Sequence, residues 1–255
     1  MGDRGWTKSR AGKREVEIWD ALGSSDPDWG VLSDPALRHG GWGPRLDDFY
    51  ASGERAIESV LSELPDIRRR LAIDWGSGTG RLTFALARSF DRVVGVDISS
   101  SMMDLARKRA RERDLANVEF VGHSAFEPAG DADLIVSLLV LQHAPSLEAV
   151  AADLKTMASA LAPEGRLVVQ LPRRALSWRA RLQLGRRAWK ILRALGVPIA
   201  WLAKFTAGFG MLLVSENDAK RMLEAAGLAV LETSRQPGDG FEYATYGCLR
   251  LDVPD

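Results

Sequence analysis

The sequence has almost no cysteine: Cys248 alone in 255 residues. One thiol cannot close an internal disulfide. That excludes a disulfide-stapled scaffold and suits a reducing compartment, so a cytoplasmic protein is expected. Net charge is also missing, with 34 Lys and Arg against 34 Asp and Glu. A global basic field is therefore lacking, and no nucleic-acid partner is expected. The stretch up to Glu17 has no apolar run of the kind a secretory leader needs. Glycine (24) and proline (11) are not in excess, which excludes collagen-like and disordered chains. What is present is 46% apolar residues, enough for a sizeable core in one large domain or one domain with an appendage.

The balanced charge hides an asymmetry. Between Gly165 and Ser215 there are ten Lys or Arg and no acid. Residues 1 to 16 are polar and charged, and fraying is expected there. Residues 17–44 hold Trp19, Trp29 and Trp42 with Asp-Pro pairs at 26–27 and 34–35, which reads as short turns between aromatic anchors. Phe49, Ile57, Val60 and Leu61 then give residues 45–64 a helical period. Residues 1–64 are thus an N-terminal helical cover, and 65–255 the main domain.

From Arg70 short apolar runs alternate with amphipathic stretches. Strands are expected over 71–75, 92–97, 118–122, 133–138 and 165–171, and helices over 81–89, 101–113 and 146–161. A helix over 215–227 with Ser215 and Asp218 as a capping box, and strands over 229–234 and 241–251, follow. Near-continuous apolar strands separated by helices predict an α/β, doubly wound, mostly parallel sheet.

The strongest local signal is Asp74-Trp75-Gly76-Ser77-Gly78-Thr79-Gly80, running from a strand into a helix. Its glycines permit a tight turn and close approach of a ligand to the backbone, and the helix start offers free N–H groups. The spacing fits neither the dinucleotide fingerprint, which would need glycine at Arg81 or Thr83, nor a phosphate loop, which would need Lys after Gly80. Asp74 beside the loop repels a pyrophosphate and attracts an amino group. Asp97 ends the second strand, 17 residues after Gly80, where a carboxylate accepts hydrogen bonds from ribose hydroxyls. Ile98 and Met102 follow and suit the faces of a purine.

Asp-x-Gly-x-Gly-x-Gly, followed one strand later by Val-Asp-Ile-Ser, resembles the class I S-adenosylmethionine-dependent methyltransferases. The resemblance implies a Rossmann-like seven-stranded sheet and S-adenosyl-L-methionine as cofactor. Asp74 and the backbone of Gly76, Ser77, Gly78 and Gly80 would hold its methionine part and Asp97 its ribose. After the third strand the family usually has an acid near the adenine amine. Here Ser124 and Ala125 stand there, and Ser124 replaces the acid. Ser137, which closes the fourth strand, is also expected at the cofactor. Leu141-Gln142-His143 resembles the loop that faces cofactor and substrate in small-molecule members, so His143 is either the catalytic base or a structural histidine. Tyr50 is either a wall of the site or a hydrophobic anchor. The sequence Ser137-Leu138-Leu139-Val140 does not match the loop of nucleic-acid-modifying relatives, and no metal site is expected.

Residues 173–214 form an insertion after the fifth strand. Drawn as a helix over 173–195, it places Trp178, Leu182, Trp189 and Leu192 on one side and Arg179, Arg186, Lys190 and Arg193 on another. Ala194–Val214 carries one charge, Lys204, but Pro198 and its glycines argue against a membrane span. A substrate lid, peripheral membrane contact and recognition of an acidic substrate all stay open. The expected activity is methyl transfer to O or N of a small, amphiphilic or acidic metabolite. The alternatives are aminopropyl transfer on the same fold, or a non-catalytic cofactor-binding or membrane-surface module.

Overall fold

A computed structural model describes residues 6–178, 191–192, 195–197, 202, 211–238 and 240–251. Strands β1 (Leu71–Trp75), β2 (Arg92–Asp97), β3 (Val118–Gly122), β4 (Ala132–Ser137), β5 (Leu161–Ala175), β6 (Leu228–Gly238) and β7 (Phe241–Arg250) form one sheet in the order β3-β2-β1-β4-β5-β7-β6. β1 to β5 are mutually parallel, and β7 runs antiparallel between β5 and β6. β1 and β4 are buried at every position because helices cover both faces. Only continuous apolar runs tolerate that environment. The chain goes from β1 outward to β3 and then returns to the other side of β1 at β4. That reversal leaves a crevice at the carboxyl ends of the central strands.

On one face α6 (Leu147–Ala160) and α7 (Glu216–Ala225) bury Val150, Leu154, Met157, Ala219 and Leu223 against β1, β4 and β5. On the other, α3 (Leu46–Ser62) and α4 (Arg81–Leu86) contribute Ile57, Leu82, Ala85 and Leu86. α5 (Ser100–Glu112) joins the N-terminal segment in a third cluster built on Leu22, Trp29, Phe49, Tyr50, Met102 and Met103. Ser215 Oγ accepts the Asp218 N–H at 3.1 Å and caps α7 as its sequence suggests.

Two regions differ from expectation. From Trp6 to Val31 the N-terminal segment is helical rather than frayed and turn-rich, whereas residues 32–45 hold the expected turns, with two three-residue 3-10 helices. α1 (Arg10–Ser25) starts on Ser9, whose Oγ accepts the Gly12 N–H at 3.0 Å, and buries the narrow stripe Gly12, Ile18 and Leu22. Asp26-Pro27 does not merely end it. Proline at the first helical position opens α2 (Pro27–Val31), since the N–H it lacks would have been unpaired there anyway. β5 is also longer than expected and takes in Arg173 to Ala175, because β7 pairs with it as far as Phe241. Arg174 and Arg173 clasp Glu242 across this extension, at 2.9 and 2.5 Å, and hold its carboxyl down at about 2. Most of the remainder of the helix expected over 173–195, and most of the run 194–214, lie outside the described residues. Among the described residues no helix is long and apolar enough to cross a membrane.

Candidate cofactor and substrate cleft

The glycine loop folds back over β2. The N–H groups of Gly76 and Ser77 both donate to the Val96 carbonyl, at 2.7 and 3.0 Å. This hairpin-tight path needs φ values of +85° at Gly76 and +52° at Gly78, which side chains with a Cβ rarely adopt. Space forbids one as well: a Cβ on Gly76 would strike both methyl groups of Val140, and one on Gly78 would strike Val31. Backbone is thereby brought to the floor of a cleft of about 850 Å³, its open mouth included.

Asp74 and Asp97 flank the loop from neighbouring strands and both line the cleft. Asp97 accepts the Gly78 N–H through Oδ2 (2.7 Å) and the Ser99 N–H through Oδ1 (2.8 Å). The carboxylate is therefore locked, with lone pairs left over for a ligand's hydroxyls. Burial raises its pKa, and the backbone bonds oppose the rise. Asp74 is 1% exposed, and its Oδ2 accepts the Thr83 hydroxyl at 2.6 Å. Burial pushes its carboxyl up to about 6, against the lowering effect of the Thr83 hydrogen bond and of the Arg81 guanidinium. Ile98 and Met102 line the same cleft, as does His143. His143 stands edge-on to Trp19 at 4.9 Å, and its Nε2 is 3.0 Å from Gln142 Nε2.

Eight residues expected at the site are thus gathered there: Asp74, Gly76, Ser77, Gly78, Asp97, Ile98, Met102 and His143. Four are not part of its lining. Gly80 sits one step behind the loop and caps α4 with φ +91°. Ser137 is fully buried at the end of β4. Ser124 and Ala125 are exposed on the short turn after β3. Their neighbour His123 reaches the cleft instead, its Nε2 2.7 Å from Asp153 Oδ1 on α6. Trp6 donates to the same Asp153 oxygen at 2.9 Å. Tyr50 is buried with Phe49 and Phe84, outside the cleft lining, and its phenol donates weakly to the Thr79 carbonyl at 3.4 Å.

Sequence reasoning passed over Trp6, Trp19, Val31, Arg81, His123 and Asp153, all of which line the cleft. Three of the six arrive through the N-terminal cover, which is fastened at two further points. Asp20 accepts hydrogen bonds from the Ser99 hydroxyl (2.9 Å) and the Ser101 N–H (3.1 Å) at the start of α5. Asp28 accepts from the Thr79 hydroxyl in the glycine loop (2.9 Å) and is clasped by both terminal nitrogens of Arg109 (2.6 and 2.8 Å).

Two buried acids at adjacent strand ends, a glycine floor between them and an imidazole thus share one cleft lining. Residues 71–227 match the family described as "Methyltransferase domain". The chain belongs to that family, and its sheet has the fold of the class I S-adenosylmethionine-dependent methyltransferases. Over 134 residues it is 33% identical to a trans-aconitate 2-methyltransferase of Methylobacterium radiotolerans, covering 51% of this chain and 49% of that protein. Over 99 residues it is 36% identical to a magnesium-protoporphyrin O-methyltransferase of Rhodobacter capsulatus, covering 37% and 44%. The chain thus spans about half the length of the curated relatives it matches, or less. The crystal structure of a magnesium protoporphyrin IX methyltransferase from Synechocystis with bound SAH has the same fold. Its TM-score is 0.63 at 20% identity, over 93% of this chain and 99% of that one. A SAM-dependent methyltransferase from Leishmania major also gives 0.63, at 19% identity, over 97% and 87%.

Proposed function

We infer that the protein transfers a methyl group from S-adenosyl-L-methionine to an oxygen or nitrogen of a small acceptor. The observation that carries this is the pair Asp74 and Asp97 on either side of a positive-φ glycine floor. When bound, the cofactor supplies a methyl already activated on a sulfonium, so the protein's work is alignment and exclusion of water. Asp74 balances the amino group of the methionine part. Asp97, fixed by two backbone N–H groups, accepts from the ribose hydroxyls. Ile98 and Met102 pack on the purine. His143 orients the acceptor and takes its proton, a task suited to a neutral imidazole.

The relatives are named for trans-aconitate and magnesium-protoporphyrin, which agrees with a small acceptor bearing acidic groups. The test is mass spectrometry of metabolite extracts incubated with the protein and cofactor labelled in its methyl group. A labelled product identifies the acceptor and the accepting atom class. No labelled product from any extract, with the cofactor bound, would remove the catalytic reading.

A second reading concerns location. Leu176, Trp178, Ile191 and Leu195 are all exposed, at 48% to 75%, beside a stretch of sequence rich in arginine. That combination suits peripheral contact with an anionic membrane. Flotation with liposomes containing anionic lipid tests it, and absence of binding at low salt would end it.

A further inference from the structure

Contacts with α5 set how α1 is turned about its own axis. Asp20 Oδ1 accepts from the Ser99 and Ser100 hydroxyls at 2.9 and 3.2 Å and from the Ser101 N–H at 3.1 Å. The Asp20 carbonyl accepts from the Ser101 hydroxyl at 2.9 Å. A carboxylate is well placed at that helix start, where N–H groups are free. Gly23 lies flush on the same turn, and a Cβ there would strike Ser101 Oγ and the Met102 side chain. Leu22 is fully buried in the cluster with Trp29 and Met102. With Asp20, Leu22 and Gly23 all fixed, the helical period leaves one direction for Trp19.

That direction is the cleft. Trp19 is the residue of α1 that lines it, and its ring meets His143 at 4.9 Å between centroids and 65° between planes. His143 ends the three-residue turn Leu141–His143 that follows β4. Such a turn holds a side chain less firmly than a long helix or a strand, so what the imidazole packs on decides where it points. The loop is also held in an unfavourable shape: Leu139, another cleft residue, has φ +63°. A residue with a Cβ stays there only where its surroundings impose it. An edge-on aromatic contact restrains the plane of the ring it meets.

We propose that Trp19 is a positioning residue for His143. It fixes the plane of the imidazole toward the acceptor, so the N-terminal cover completes the acceptor half of the site and the sheet supplies the cofactor half. The proposal rests on the role given to His143 above and deepens it. Trp19 acts through His143, and the margin is small: a misplacement of about 1 Å costs such a reaction about a hundredfold.

A double-mutant cycle tests it. The rate is the label passed from methyl-labelled cofactor to the acceptor that the extract experiment identifies, at saturating acceptor. Trp19→Met removes the ring and keeps an apolar side chain. It is expected to lower the rate about tenfold to a hundredfold alone, and less than about twofold beside His143→Ala. Trp19→Phe keeps a smaller ring and recovers most of the rate, with a loss of about threefold. Calorimetry on each variant is expected to find S-adenosylhomocysteine affinity within about threefold of wild type. Equal losses of rate with and without His143→Ala, or S-adenosylhomocysteine binding weakened as much as the rate, would mark Trp19 as an anchor of the cover and overturn the proposal. A wild-type rate in Trp19→Met overturns it too. Should Trp19→Met fail to fold, Trp19→Phe takes its place in the cycle, and its smaller loss must again vanish beside His143→Ala. Full turnover in His143→Ala also overturns the proposal while leaving methyl transfer standing. If the wild-type chain binds S-adenosylhomocysteine and labels nothing in any extract, the methyl-transfer reading itself fails, and the positioning role falls with it.

Discussion

Asp74 is ionised near neutral pH and protonated in mild acid, and this should govern cofactor affinity. Its carboxyl sits at about 6 rather than 3.8 because it is desolvated. A ligand ammonium needs the charged form. If only that form binds well, affinity follows the ionised fraction and falls about tenfold from pH 7 to pH 5. The sign for stability of the ligand-free chain is opposite. A folded-state pKa above the unfolded value means the folded chain binds more protons between about 4 and 6, so stability drops as pH rises through that window and stays lower above it. A shift from 3.8 to about 6 corresponds to a cost of about 3 kcal/mol near neutral pH. Asp74→Asn should therefore raise the ligand-free Tm at pH 7 by several degrees. The same change should weaken S-adenosylhomocysteine binding by about tenfold to a hundredfold and flatten its pH dependence. The raised pKa of Asp97 acts in the same direction, so the difference between wild type and Asp74→Asn isolates Asp74. Calorimetric titrations from pH 5 to pH 8, with thermal melts alongside, read both effects. Wild-type affinity that is flat or rises in acid would refute the reasoning, as would a destabilised Asp74→Asn.

Other expectations follow from the same geometry. His143→Ala should lower turnover on the identified acceptor by about 10²- to 10⁴-fold, with S-adenosylhomocysteine affinity changed little, and unchanged turnover at saturating acceptor would remove the base role. Asp28→Ala strands the buried Arg109 guanidinium and unpins the Thr79 hydroxyl, so unfolding in urea should show a loss of about 3 kcal/mol or more. Gly76→Ala combines a φ of +85° with a collision against Val140, and its binding of S-adenosylhomocysteine should be lost or severely weakened in calorimetry, whereas wild-type affinity would contradict the tight-floor argument.

Much of this architecture was legible in the residues. β1 and β2 fall where their apolar runs begin and end, because parallel strands covered on both faces admit few polar positions, and the edge strand β3 matches its short run although only Phe120 of it is fully buried. Asp74, the glycines and Asp97 were legible because loop and strand end are close in sequence and their spacing is set by backbone geometry. The polar helix α1 was hidden, since only Gly12, Ile18 and Leu22 are buried along its 16 residues and its flanking Asp-Pro pairs suggested turns. Trp6, Val31 and Asp153 reach the cleft only through tertiary packing of the cover and α6, which no local pattern records. Arg81 did leave a signal: it is the one charged residue in α4, a short and otherwise uncharged helix that is buried throughout. A charge in such a segment usually has a partner or a ligand.

The central claim is that the crevice at Asp74 and Asp97 accepts an adenosyl amino acid. Calorimetry of the full chain at pH 7.5 with S-adenosylhomocysteine and, separately, with a nicotinamide dinucleotide tests it most directly. The account predicts saturable one-to-one binding of the first and no heat from the second. Heat from the dinucleotide alone would contradict it.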